Sequence, residues 1–198
     1  MDKSDPIGAA FAEARATLEA FLEDPTHLDS VRAFASEIAA CLARGGRLFA
    51  AGNGGSMCDA MHFVEEWTGR FRSDRAALPA MSLGDPSQLT CIANDFGFDE
   101  IFARQVEANG RAGDLFVAIS TSGNSANLVR AVEVASERGL RTVGLLGKGG
   151  GQLGAMVDVA VVVPRATTSD RIQEVHIKVI HCVIEAVERQ LFPENYSS

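Results

Sequence analysis

Apolar residues recur at spacings of three and four over Ala9–Leu22 and again over Leu28–Leu42, with charges between them. This periodicity predicts two amphipathic helices. Pro25 and Thr26 interrupt it and predict a short turn, and Gly45–Gly46 ends the second helix. From Arg47 the pattern changes to short apolar runs. RLFAAG, LPAMSL (78–83), DLFVAIS (114–120), RTVGLLG (141–147) and VDVAVVVP (157–164) read as five strands. Helical patterns lie between them, over Ser56–Phe71, Ser87–Ile92, Phe98–Glu107 and Ala126–Arg138, with a short helical turn after KGGG. Asn94-Asp95 is expected in a turn between two of these helices. A long helix over Asp170–Leu191 closes the chain.

Short apolar strands alternating with helices predict a parallel sheet covered on both faces. The expected fold is therefore α/β: a three-layer, doubly wound, five-stranded parallel sheet preceded by two helices. The expected division is an N-terminal helical pair over 1–44, serving oligomerisation, and a sheet domain over 45–198, forming one structural unit overall. In such sheets ligands bind beyond the carboxyl ends of the strands. That rule gathers GNGGS, Asn94-Asp95 and STSGNS into one crevice.

Two strand ends carry similar chemistry. Asn53-Gly54-Gly55-Ser56 follows FAAG, and Ser120-Thr121-Ser122-Gly123-Asn124-Ser125 follows FVAI. Both lead into helices, whose free N–H groups and positive dipole ends favour anions. Glycine lets the backbone approach closely, and hydroxyls add donors. Ser and Asn are also favoured N-caps without any ligand, but four hydroxyls in six residues make the second loop dense enough to cradle a phosphate. A dinucleotide reading is weaker. The first loop has Met57 where a third glycine would stand, and the second strand ends in Gly84-Asp85 rather than in a well-placed ribose-binding acid.

His62 and Glu66 are four residues apart, on one face of the helix leaving the first loop. Gln173, His176 and His181 lie on the last helix. Imidazole with carboxylate suits a divalent transition metal such as zinc, and equally suits proton transfer. His176 and His181 are about 140° apart on an ideal helix and should not face one site, whereas Gln173 and His181 are about 80° apart and roughly two turns distant.

Composition narrows the classes. The net charge is −8 with no Lys/Arg run, which argues against a nucleic-acid footprint. Four cysteines without a CxxC pair point to reduced thiols and a cytoplasmic setting. The start MDKSDPIGAAFAEA lacks a basic segment followed by an apolar one, so no signal peptide is expected. The longest apolar runs are too short to span a bilayer.

The motifs AGNGGSMCDAMHFVEEWTGRF, IANDFGFDEIFARQV, ISTSGNSANL and DRIQEVHIKVIH, in that order, resemble the sugar isomerase (SIS) domain family with its flavodoxin-like sheet, and within it the phosphoheptose isomerases. The resemblance covers nearly the whole chain. It implies interconversion of sedoheptulose 7-phosphate and D-glycero-D-manno-heptose 7-phosphate, which opens the route to ADP-heptose and the lipopolysaccharide core. It implies a homotetramer with active sites at subunit interfaces and a zinc ion held by His62, Glu66, Gln173 and His181. It also implies substrate contacts from Asn53, Gly54, Gly55, Glu66, Asn94, Asp95, Ser120, Thr121, Ser122, Ser125 and Gln173. Glu66 is then the expected base at carbon and His181 the acid/base partner at oxygen. Because a zinc-bound carboxylate is a weaker base, either Glu66 shifts between roles or the metal stays out of the reactive complex. Two alternatives follow from the same resemblance: a non-catalytic relative that binds a replication initiator or senses a sugar phosphate, and an isomerase of another phosphosugar.

Overall fold

The computed structural model describes residues 5–166 and 168–197. Two helices open the chain, α1 (Pro6–Glu23) and α2 (Pro25–Ala43). Asp24 alone separates them: its side chain caps Thr26 N, and Pro25 takes the first position of α2. Pro25 therefore starts a helix where the sequence pattern suggested a turn, because a first-turn residue needs no N–H.

Five parallel strands follow: β1 (Leu48–Gly52), β2 (Ala80–Ser82), β3 (Leu115–Ser120), β4 (Arg141–Gly147) and β5 (Val159–Val163). They lie in the order β2-β1-β3-β4-β5, as expected for a doubly wound sheet, whose direction of winding reverses between β1 and β3. Register is set by Leu48 opposite Leu115 and by Leu115 opposite Arg141. β3 is buried along its whole length because helices cover both faces. Leu115, Val117 and Ile119 join one core with residues such as Phe34, Ile38, Phe63, Trp67 and Ile180. Phe116 and Ala118 join the other, with residues such as Phe102, Leu128 and Leu153.

The first face carries α1, α2, α3 (Gly55–Thr68) and α8 (Ser169–Leu191). The second carries α4 (Pro86–Phe96), α5 (Ala103–Asn109), α6 (Ala126–Glu137) and α7 (Gly151–Met156). The N-terminal pair shares the main core: Phe21, Phe34, Ala35, Ile38 and Cys41 are all buried in it.

His176, on α8, is fully buried, and its Nε2 lies 3.1 Å from the Leu146 carbonyl. A carbonyl only accepts, so Nε2 carries the hydrogen and Nδ1 is left buried without a partner. Charging the ring there would bury an unpaired cation, and burial pushes its pKa down from 6.5 to about 4. The neutral ring thus stabilises the fold above pH 6.5, and that contribution is lost as pH falls toward 4. The linked loss is about 3 kcal/mol. Urea titrations across this range should show that slope, and a His176→Leu variant should lack this part of it. An identical slope in the variant would remove the assignment.

Candidate active site

The loops after β1 and β3 meet at the point where the sheet reverses direction. Their side chains interlock: Asn53 Nδ2 donates to Asn127 Oδ1 at 3.0 Å, and Asn127 Nδ2 donates back to Asn53 Oδ1 at 2.9 Å. Between them opens a cavity of about 160 Å³ lined by Asn53, Ser56, Ile119, Ser120, Thr121, Ser122, Ser125, Ser169 and Gln173.

The hydroxyls there gather at the cavity and none caps α6. Ser125 stands at the N-cap of α6 yet makes no side-chain cap bond. Ser120 Oγ accepts from Gly123 N, and Ser122 Oγ accepts from Asn124 N; Ser120 Oγ also lies 3.5 Å from Ser122 Oγ and 3.4 Å from Ser125 Oγ, so the three hydroxyls form one cluster at the cavity. Thr121 Oγ1 lies 3.0 Å from Ser169 Oγ at the start of α8. The loop is braced from behind. At Gly123, with φ 66°, an added Cβ would come within 1.9 Å of the Gly150 carbonyl, so only glycine permits that contact. Asn124 Oδ1 also accepts from Gln152 N.

Gly54 is the N-cap of α3, with φ 57°. Gly55 lets Gln173 approach: a Cβ there would sit 2.7 Å from both polar atoms of its amide. Gln173 Nε2 lies 3.4 Å from Ser56 Oγ. The start of α8 is thereby packed on the start of α3, and the two helices run side by side in the same direction.

Two to three turns further along the pair lies the second centre. His62 Nε2 is 3.2 Å from Glu66 Oε1 and 3.2 Å from His181 Nε2. One ligand atom from each of His62, Glu66 and His181 lies within 4.8 Å of the others, and all three residues are half-buried. Two imidazole nitrogens facing each other at 3.2 Å either share a proton or share a cation. With a carboxylate oxygen beside them, they form a donor set that suits a divalent transition metal better than the oxygen-preferring magnesium or calcium. Phe71 and the two histidine rings pack together, with centroids 5.8 Å and 5.1 Å from His181. Glu65 is 64% exposed, with its Oε1 3.7 Å from His62 Nε2.

Thus the structure brings together Asn53, Gly54, Gly55, Ser120, Thr121, Ser122, Ser125 and Gln173 at one end of the α3–α8 pair, and His62, Glu66 and His181 further along. Gln173 faces Gly55 and Ser56 from about two turns before His181 on α8.

Asn94 and Asp95 require a correction. They are in the last turn of α4, not in a turn between that helix and the next, and both are exposed and outside the cavity. The helix continues through them because Gly97, at φ 95°, is the residue that ends it. Asn94 Nδ2 donates to Asp95 Oδ1 at 2.8 Å.

Sequence reasoning missed Ser56 and Ser169 as lining residues, and it missed Asp59. One turn before His62, Asp59 has a carboxylate oxygen that is buried without a hydrogen-bond partner. Burial raises its pKa to about 6. Its spacing to His62 and Glu66, three and seven residues, was the available signal.

Comparison with known proteins places this architecture in a class. The SIS domain model matches residues 11–147, so the fold is that of the SIS domain family. The chain is 52% identical to a phosphoheptose isomerase of Fusobacterium nucleatum over 179 residues, 90% of this chain and 92% of that one. It is 46% identical to a phosphoheptose isomerase of Vibrio cholerae, over 94% of this chain and 98% of that one. The solved phosphoheptose isomerase of Neisseria gonorrhoeae superposes with a TM-score of 0.86 at 41% identity, covering 92% of this chain and 96% of that one. The chain belongs to the phosphoheptose isomerase family.

Proposed function

We propose that this chain is an aldose–ketose isomerase that converts sedoheptulose 7-phosphate to D-glycero-D-manno-heptose 7-phosphate, the step that opens ADP-heptose and lipopolysaccharide core synthesis. Family membership supports the activity. One observation carries the mechanism: an anion-sized, hydroxyl-lined cavity lies between the loop after β3 and the starts of α3 and α8, and an imidazole–carboxylate cluster stands further along those two helices.

The reaction moves a proton between C1 and C2 through an enediol. Ser120, Thr121, Ser122 and Ser125 hold the phosphate, with Ser169 closing the far side. Asn53, Gly54, Gly55 and Gln173 contact the sugar where the α3 backbone opens. Anchoring the distant phosphate fixes the reacting carbons near the cluster and removes their rotational freedom before the chemical step. Glu66 Oε1 faces His62, which leaves Oε2 to take the carbon proton. His181 handles the proton at the sugar oxygen. His62, Glu66 and His181, with Gln173 from the preceding turns of α8, are the residues that would hold zinc, whose chemistry would be to polarise the carbonyl and stabilise negative charge on oxygen.

Ser122→Ala should raise KM roughly 10-fold with kcat nearly unchanged, because one donor to a charged group is removed. Unchanged KM would count against its phosphate role.

The active unit is a homotetramer with sites at subunit interfaces. An apolar groove of about 530 Å³ between α1 and α8 supports it, as does Phe11, 75% exposed at that groove. Exposed Asn94 and Asp95 then serve a neighbouring subunit's site. Light scattering should give four times the chain mass of 21.0 kDa, and a monomer would contradict the assembly. Among the described residues no helix is long and apolar enough to cross a membrane.

Comparing turnover of five-, six- and seven-carbon sugar phosphates tests the substrate assignment. The seven-carbon ketose should be preferred, and faster conversion of a pentose 5-phosphate would reassign the substrate.

A further inference from the structure

The last turn of α3 ends at a buried ion pair that takes no part in proton transfer. Arg75 lies in the loop after α3, and Glu188 lies two turns beyond His181 on α8; each side chain is 1% exposed. Arg75 Nε donates to Glu188 Oε1 at 2.7 Å, and the Tyr196 hydroxyl donates to Glu188 Oε2 at 2.9 Å. The rest of the guanidinium is spent on backbone carbonyls. Nη2 donates to Glu66 O at 2.5 Å, and Nη1 donates to Trp67 O at 2.7 Å and to Gly69 O at 2.9 Å. Glu66 and Trp67 are in the last turn of α3, where carbonyls have no partner within the helix. A cation placed there also meets the negative end of the helix dipole.

Glu66 is thereby held at two points. Its carboxylate faces His62 and its carbonyl is fixed by Arg75. His181 rides on the same helix as Glu188, about 10 Å before it. A single guanidinium therefore ties together the two helices that supply His62, Glu66 and His181. We propose that Arg75 is a positioning residue for the isomerisation, setting the distances within that trio by locking the end of α3 to α8. Glu188 and Tyr196 act by holding its guanidinium in plane. The proposal rests on the isomerase reading. The anion-binding loop contacts the start of α3, about 15 Å from Glu66 along the helix, so the effect falls on turnover rather than on substrate grip.

Arg75→Lys is the test, because lysine keeps the charge but cannot reproduce the planar fork of donors. Kinetics are compared on protein shown to be folded by circular dichroism and a cooperative melt. We expect kcat to fall roughly 10- to 100-fold with KM changed less than about twofold, since small misplacements of reacting groups cost rate. Zinc, titrated against a competing chelator, should be held roughly 10-fold more weakly, as for loss of a ligand-orienting partner. Tyr196→Phe, which removes only one hydroxyl, should show a smaller change in the same direction. A folded Arg75→Lys protein with the parent's kcat and zinc affinity would overturn the proposal, as would a rise in KM with kcat unchanged. If Arg75→Lys does not fold, Tyr196→Phe decides, and parental kcat and zinc affinity there overturn it. If the parent binds zinc but converts no sugar, the isomerase reading fails by itself, and zinc affinity in the variants decides the role of Arg75.

Discussion

Replacing Glu66 by Gln should lower kcat by about 10²- to 10⁴-fold, the range for removing a general base, while leaving the melting temperature close to that of the parent. The change is nearly isosteric, and the amide oxygen can still face His62 at the 3.2 Å that Glu66 Oε1 occupies. Glu66 is only 13% exposed, so solvent cannot easily substitute for it. KM should move little, because the loop proposed to hold the phosphate lies at the other end of α3. Steady-state kinetics at saturating zinc separate two contributions. A rate restored by zinc would show that Glu66 serves mainly as a ligand, and a rate that stays low identifies it as the base. A variant with near-parental kcat under both conditions would remove Glu66 from the chemistry.

The second large effect concerns the fold. Glu188→Ala should destabilise the protein by about 3–5 kcal/mol, the cost of leaving a buried charge unpaired. The variant strands the Arg75 guanidinium, which is 1% exposed, and deprives the Tyr196 hydroxyl of its acceptor. For a chain of this size that corresponds to a melting temperature lower by roughly 10 °C. An exposed pair such as Arg15–Glu19, 76% and 62% exposed, should give almost no change when broken. Thermal melts of both variants check the contrast. A Glu188→Ala melt within a degree or two of the parent would show that the pair contributes little.

Much of the fold is written locally. Parallel strands buried on both faces must be continuous apolar runs, so RTVGLLG marks β4 at its observed limits and FVAI marks the centre of β3. Ends were less legible where a polar pair resembled a turn: Asn94-Asp95 stays helical because the conformation that stops α4 belongs to Gly97. Pro25 was ambiguous because proline both ends one helix and starts another. At the site, the four-residue spacing of His62 and Glu66 was visible, since one helix sets it. That His181 completes the trio while Gln173 faces Gly55 depends on how α8 lies along α3, which no local pattern encodes. Arg75 was invisible for the same reason. RSDRAALPA carries no motif, and its guanidinium acquires meaning only when the end of α3 and the last turns of α8 are brought together.

The central claim is that this chain isomerises a heptose phosphate. The direct measurement is incubation of the purified protein with sedoheptulose 7-phosphate, with and without added zinc, followed by separation of the sugar phosphates. The expected result is an equilibrium mixture containing D-glycero-D-manno-heptose 7-phosphate, formed catalytically by the parent and far more slowly by Glu66→Gln. No aldose heptose phosphate from folded parent protein under either condition would contradict the account and leave a sugar-phosphate-binding protein in its place.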